Sequence, residues 1–352
     1  MHSTPRLAPS LSTSRVDWAD TAKGIAILVV ALHHTVIFLN DADLLSGPWV
    51  QANNAFQSFR MPLFFAAAGL FAASALRGAW GRLWTRRLAL LVWVFAVWTL
   101  VRFGFFLVIP NENRPQETAL LTLLLAPVDP SNGMWFLHAL VIFFVVAKLM
   151  YGRLDYRVQL GAAAALSMVV LTVPGTSLSW DGMGSYFFFF LAGCYLRDKI
   201  LTRVAQAKAW HLVAAGVLFV GAVGVLDVLG WQLIGPAAFV VRCLAVSFGF
   251  LLAAALTRWV VVGPVLNSLG RQTLPIYVTH VLFIAATTTV LGATVESPGA
   301  VLLILPLAVL AFAVVGSLAL HRAIKSVPLL RYAYQAPAWM ARQSQVGSSI
   351  RV

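Results

Sequence analysis

Charge is what this sequence has least of. Only 11% of its side chains are charged, against about 25% in a soluble globular protein, and a water-facing surface cannot be assembled from so few. Cysteine is nearly as scarce: Cys194 and Cys243 are the only two. Both lie inside apolar stretches and read as small buried hydrophobes, not as a disulfide or a metal set. Neither an HExxH metal motif nor a GxSxG elbow occurs, and no glycine loop with a lysine for phosphate is present. The N-terminal stretch MHSTPRLAPSLSTSRVDWAD lacks an apolar run followed by a small-residue cleavage site. It is therefore not read as a secretory signal peptide, and the block after it is read as a retained first span.

Apolar residues are what the chain has in quantity, at 60% with a mean hydropathy of +0.85. They fall in blocks near 22–39, 59–76, 88–109, 134–150, 157–173, 183–196, 211–229, 237–256, 274–292 and 299–321. A hydrocarbon layer of roughly 30 Å needs about 20 residues per helix, and backbone polar groups have no water to bond inside lipid, so each block is expected to be helical. The reading is an all-α, polytopic membrane bundle of about ten transmembrane helices. Residues 1–21 form a cytoplasmic N-terminal segment, 22–321 the transmembrane domain and 322–352 a cytoplasmic tail. The run Ala119 to Ala126 is too short to cross and is expected to be re-entrant or interfacial.

A net charge of +13 invites a nucleic-acid reading, but the basic residues sit in short clusters between apolar blocks, so membrane lipid is the partner and nucleic acid is not. All but Arg60, Arg102, Arg114 and Arg242 of the 25 basic residues fall in alternate connections. The intervening ones carry Asp41, Asp43, Glu112, Glu117, Asp129, Asp181 and Glu296. This alternation puts both termini in the cytoplasm of a cell whose plasma or inner membrane the chain spans repeatedly.

The first block holds the densest set of chemical groups. Lys23 and His34 are eleven residues apart, within roughly 20° of three full turns, so both project from one face with about 16 Å between them along the axis. Lys23 sits at the inner mouth and His34 near or beyond mid-membrane, whereas His33 is rotated by about 100°. An imidazole at that depth points to function, because buried ionisable groups are costly, and histidine is suited to take a proton from a hydroxyl. A neutral interhelical hydrogen bond explains His34 equally well on position alone, and that reading is preferred for His33. Arg60, Arg102 and Arg242 lie within or at the outer ends of spans, where pairing, a cavity lining or snorkelling each account for an arginine. Asp227 is at a depth suited to pair with them. His138 reads as an interfacial polar group, and His321 as part of the inner charge pattern.

At these residues the chain resembles the acyltransferase family 3 integral membrane proteins. Trp18 to His34, with a cation and a histidine ten intervening residues apart, is similar to that family's first span. Met61-Pro62-Leu63-Phe64-Phe65 through Gly69 resembles its second, Met134-Trp135-Phe136-Leu137 its Trp-Phe-Leu signature, and Tyr277 with His280 its late Tyr-x-x-His element. Three positions depart from the family pattern: His33 stands where glycine is usual, Ala68 where serine is, and Arg82 with Arg86-Arg87 only approximates its R-x-x-R.

The resemblance implies O-acylation with acetyl-CoA or another acyl-CoA as co-substrate, and a carbohydrate of the cell envelope as acceptor. No metal is needed. His34 is then the base, and Lys23, Arg82, Arg86 and Arg87 hold the CoA phosphates. The R-x-x-x-R-R spacing places Arg82 and Arg86 on one helical face. Arg60, beside Met61-Pro62, is the candidate for the oxyanion, and Trp135 and His280 complete the candidate set. Direct transfer and an acyl-histidine route both stay open. The rival reading is a transporter whose substrate path is lined by His34 and the intramembrane arginines.

Overall fold

A run of small and apolar side chains with one polar stripe gives the first helix its role as hub of the bundle. The computed structural model describes residues 17–45, 47–131, 133–175, 177–294 and 303–341. What the sequence suggests for residues 1–16, 295–302 and 342–352, Glu296 and the last two arginines included, lies outside the described residues.

The hub α1 (Asp17–Asp41) begins more than a turn before the predicted block. It is followed by α2 (Gly47–Ala55), α3 (Gln57–Leu70) and the short α4 (Ala73–Arg77). Next α5 (Trp80–Leu83) passes through a π-helical turn at Trp84–Leu88 into α6 (Ala89–Val108). The short α7 (Leu120–Leu125) precedes α8 (Trp135–Met150), α9 (Tyr156–Thr172) and α10 (Leu178–Tyr195). Then α11 (Arg197–Ala205) leads to α12 (Ala209–Leu229) and α13 (Gly235–Leu256). The chain closes with α14 (Val262–Arg271), α15 (Thr273–Thr294), α16 (Leu305–Ser326) and α17 (Ala338–Ala341).

Every predicted apolar block contains a helix, and among the described residues there is no strand. Six helices are long and apolar enough to cross a membrane, with shorter apolar helices at Trp135–Met150 and Tyr156–Thr172. The run at 119–126 contains α7, where Leu120, Leu121, Leu124 and Leu125 are exposed. In α12 only Phe219 is buried, the pattern of a helix whose sides face lipid.

Helix α1 packs on α3, α13, α14, α15 and α16. Helices associate tightly in lipid where small residues let backbones approach, and two such crossings set the geometry here. A Cβ added at Gly270 would lie 3.0 Å from the Gly24 nitrogen, and one added at Gly193 would lie 2.9 Å from the Gly69 Cα. Gly193→Val is therefore expected to cost about 1–3 kcal/mol through overpacking and to lower the unfolding temperature in detergent. Gly161→Val, where an added Cβ meets nothing within 4 Å, serves as the control and should leave it unchanged.

The segment after α16 does not behave as a simple tail. Three indole N–H groups along one helical run donate to its carbonyls: Trp84 to Met340 (2.8 Å), Trp93 to Tyr332 (2.6 Å) and Trp98 to Ala333 (2.7 Å). Tyr334 packs edge-on against His321, with ring centroids 4.4 Å apart. His321 is thus a buried packing residue, a correction to its assignment as part of the charge pattern.

Candidate active site

On α1 the residues Lys23, Ile27, Val30 and His34 follow at spacings of four, three and four, which makes one continuous stripe. The structure surrounds that stripe with two cavities. The larger, of about 640 Å³, opens among Asp20, Lys23, Arg86, Arg87 and Arg197 and narrows between Phe64, Phe136 and Tyr277. The same three aromatics, with Ile27, Val30 and Met61, wall a second cavity of about 10 Å³. Beyond Val30 the next residue of the stripe, one turn on, is His34. A basic mouth, an aromatic throat and a histidine thus lie in sequence along one helix face.

At the mouth the cations are not all free charges. Lys23 Nζ is 2.6 Å from Asp20 Oδ1 and sits 4.4 Å from the centre of the Phe71 ring. Asp20 is buried and also faces Arg271 at 3.6 Å. Arg87 donates to the Phe71 carbonyl (3.3 Å), and Arg197 to the Leu70 carbonyl (3.1 Å). These contacts seat both guanidinium groups at the end of α3. Arg82 does not join them. Its side chain folds toward Gly78 and is absent from the cavity wall. The π turn at Trp84–Leu88 adds a residue to the helical repeat, so the spacing that would align Arg82 with Arg86 on an α-helix no longer does. Arg197, which the sequence reading passed over, takes its place.

Past the throat the imidazoles gather. The rings of His34 and His280 lie 5.2 Å apart, as do those of His33 and His34. His280 Nδ1 lies 2.8 Å from the Ile276 carbonyl, and only a protonated nitrogen can bond there. Its Nε2 therefore carries the lone pair, and that atom is buried with no hydrogen-bond partner. His34 is half-buried, and among the described residues it has no hydrogen-bond partner. His33 is committed elsewhere. Its Nδ1 is 2.9 Å from Asn53 Oδ1, the oxygen that also accepts from Arg60 Nη1 at 3.1 Å. Tyr277 donates to the Gly133 carbonyl (2.8 Å) and accepts from the Phe136 N–H (3.3 Å), which fixes the throat.

The turn carrying Gly133 rests on a buried ion pair. Arg102 donates through Nε and Nη2 to the Glu117 carboxylate, at 2.8 and 2.5 Å. Gly133 has φ +77°, and a Cβ there would meet the Arg102 guanidinium at 3.2 Å. This pair settles Arg102 as partnered inside the bundle and excludes snorkelling. Removing one member leaves an uncompensated buried charge, so Glu117→Gln is expected to cost about 3–5 kcal/mol. An Arg102→Met, Glu117→Leu double replacement should cost less, both read by thermal unfolding of the purified protein.

Other sequence expectations resolve as follows. Trp135 stacks on Tyr186, 6.1 Å between centroids at 28°. Asp129 Oδ1 accepts from Ser177 and Ser179, each at 2.6 Å; these bonds hold its carboxyl below the usual carboxylate range and tie the loop before α8 to the start of α10. His138 Nε2 bonds the Pro127 carbonyl at 3.0 Å. Asp227 does not pair with Arg242: it is exposed and accepts from Gln232, because α12 turns that face outward. Among the described residues no group of three or more potential metal ligands occurs.

With this geometry in place, the comparisons with known proteins are informative. Residues 16–322 match the model of a family described as an acyltransferase domain. The inner membrane protein YcfT of Escherichia coli (strain K12) is 24% identical over 289 residues, covering 75% of this chain and 78% of that protein. No solved structure matches.

Proposed function

Because the chain belongs to the acyltransferase domain family, we propose that it is a membrane O-acyltransferase of the inner (plasma) membrane. In this reading it moves an acyl group, acetyl in the simplest case, from acyl-CoA to a hydroxyl of a cell-envelope carbohydrate or its lipid-linked precursor. The basic end, with both termini, faces the cytoplasm. The observation that carries the reading is the order along one face of α1: the cationic mouth at Lys23, the throat of Phe64, Phe136 and Tyr277 at Ile27 and Val30, and His34 one turn beyond. A volume of about 640 Å³ is within the ~300–1,000 Å³ range of small-molecule sites.

Lys23, Arg86, Arg87 and Arg197 hold the CoA phosphates by charge-assisted hydrogen bonds, and the thioester end passes the throat. The acceptor arrives from the opposite side. His34 takes the proton of the acceptor hydroxyl as its oxygen attacks the thioester carbonyl. The carbon–sulfur bond then breaks, and the CoA thiolate leaves, taking its proton from the His34 imidazolium. His280, its Nδ1–H held by the Ile276 carbonyl, turns a lone pair toward the reacting region. Arg60, fixed by Asn53, supplies positive charge near the developing oxyanion.

The test uses the full chain in sealed vesicles with labelled acetyl-CoA on the side of the basic end. Label should appear in alkali-labile esters on a carbohydrate added to the other side, with one thiol released per ester formed. Solute flux with no thiol release would favour a transporter and sink the enzymatic reading.

A further inference from the structure

Two arginines remain on the far side of the throat with no acid to balance them. Arg60 and Arg242 are each 8% exposed, and neither forms an ion pair among the described residues. Arg60 has only the neutral Asn53. Arg242 has less: its Nε and Nη1 are buried without any hydrogen-bond partner, and its guanidinium lies 5.6 Å from the centre of the Tyr186 ring. Of the two, Arg242 is the cation with no polar partner at all among the described residues, set beside one tyrosine ring.

A buried charge is costly unless paired, and ionisable groups kept inside a membrane protein face a cavity or a ligand. Nε and one terminal nitrogen form the edge of the guanidinium fork that matches a carboxylate or phosphate in two parallel bonds. On Arg242 that edge carries the unpartnered Nε, and Nη1, on the other side of the group, is unpartnered as well. Tyr186 stacks with Phe65 (5.6 Å, 20°) and Trp135 (6.1 Å, 28°), whose own rings lie 6.1 Å apart, so the three form one aromatic cluster beside Arg242. Asn53 Oδ1, shared by Arg60 and His33, links Arg60 to the imidazole cluster through one side chain.

We infer that Arg242 is the acceptor's anion subsite, so that the acylated sugar carries a carboxylate or phosphate beside the hydroxyl presented to His34, with Arg60 left to the oxyanion. This rests on the acyltransferase reading for its placement, but anion binding itself can be measured without acyl transfer.

The experiment follows thermal unfolding of the full chain, in zwitterionic lipid nanodiscs without acyl-CoA, against glucose, glucuronate and glucose 6-phosphate. One of the two acids should raise the midpoint by several degrees while glucose leaves it unmoved; which acid does so separates carboxylate from phosphate. Arg242→Met should abolish the response and, having removed an unpaired charge, should unfold at a higher temperature than wild type when no ligand is present. Arg242→Lys should keep part of the response, and Arg86→Gln, at the opposite end, should keep all of it. If Arg242→Met does not fold, Arg242→Gln makes the same comparison.

A response to glucose equal to that of the acids, no response to either acid, or a response lost with Arg86→Gln and kept by Arg242→Met each overturns the subsite. In a transfer assay, Arg242→Met should raise KM for an acidic acceptor about 10–100-fold, the weight of a hydrogen-bonded charge, and leave a neutral acceptor unaffected. Equal losses on both acceptors would make Arg242 a general support and overturn its role in selection. Absence of transfer to any acceptor, with the acid-dependent stabilisation intact, would reject the enzyme reading and retain the anion site.

Discussion

Replacing His34 with glutamine is expected to lower acyl transfer by about 10²–10⁴-fold, the span that a positioned general base supplies, without weakening acyl-CoA binding. The separation follows from distance along α1: Lys23 at the mouth lies about 16 Å away on the same stripe, and the mouth cations make no contact with the imidazole. The same replacement at His33 should cost far less in turnover, because His33 Nδ1 is spent on Asn53. The smaller loss should come through Arg60, which Asn53 also holds, and should appear in turnover with the acceptor KM unchanged. His280→Gln should fall between the two, because its Nε2 is buried and unpartnered beside His34. Thiol release from acetyl-CoA and label in the acceptor, measured together, separate the cases. A His34→Gln protein that transfers at wild-type rate would remove the imidazole from the mechanism.

That ranking of two adjacent histidines was beyond what residue order reveals. Helix periodicity separates their directions by about 100°, so it tells that only one shares the Lys23 face. Which face is occupied depends on α2 and α15, brought in from 20 and about 250 residues away. Asn53 lies in a helix too short and polar to register as a span, and no local pattern marks it as the partner of His33. The helices themselves were legible because lipid leaves long apolar runs no alternative to internal hydrogen bonding.

Where local regularity failed, so did the inference from spacing. Arg82 and Arg86 would align on an α-helix, but the π turn at Trp84–Leu88 breaks their register and leaves Arg86 and Arg87 at the cavity without Arg82. Arg197 was invisible for the opposite reason: it stands in an ordinary basic connection, and only its bond to the Leu70 carbonyl brings it to the mouth. Trp84, Trp93 and Trp98 hold the segment after α16 through their indole N–H groups. An indole N–H needs an acceptor wherever it is buried, yet the sequence does not say which carbonyl will come.

The throat provides the second large effect. Val30 is 6% exposed and lines the cavity of about 10 Å³ at the throat. It is one turn from His34 and under one turn from Ile27 on the same stripe, so a larger side chain there projects into the throat and not into lipid. Val30→Trp adds far more volume than that cavity holds.

Acyl transfer should therefore fall at least about 100-fold, because a near-attack arrangement requires reacting atoms roughly 3–3.5 Å apart and the plug keeps thioester and imidazole on opposite sides. Desulfo or free CoA, which needs only the chamber and its cations, should bind as it does to wild type. Val30→Ala, which widens the passage, should leave acetyl transfer near wild type and improve transfer of longer acyl chains. This pattern distinguishes a blocked path from a damaged fold, since an unfolded protein would lose CoA binding as well. If Val30→Trp transfers acetyl normally, the donor does not reach His34 through the gap between Phe64, Phe136 and Tyr277, and the two-sided arrangement of donor and acceptor fails with it.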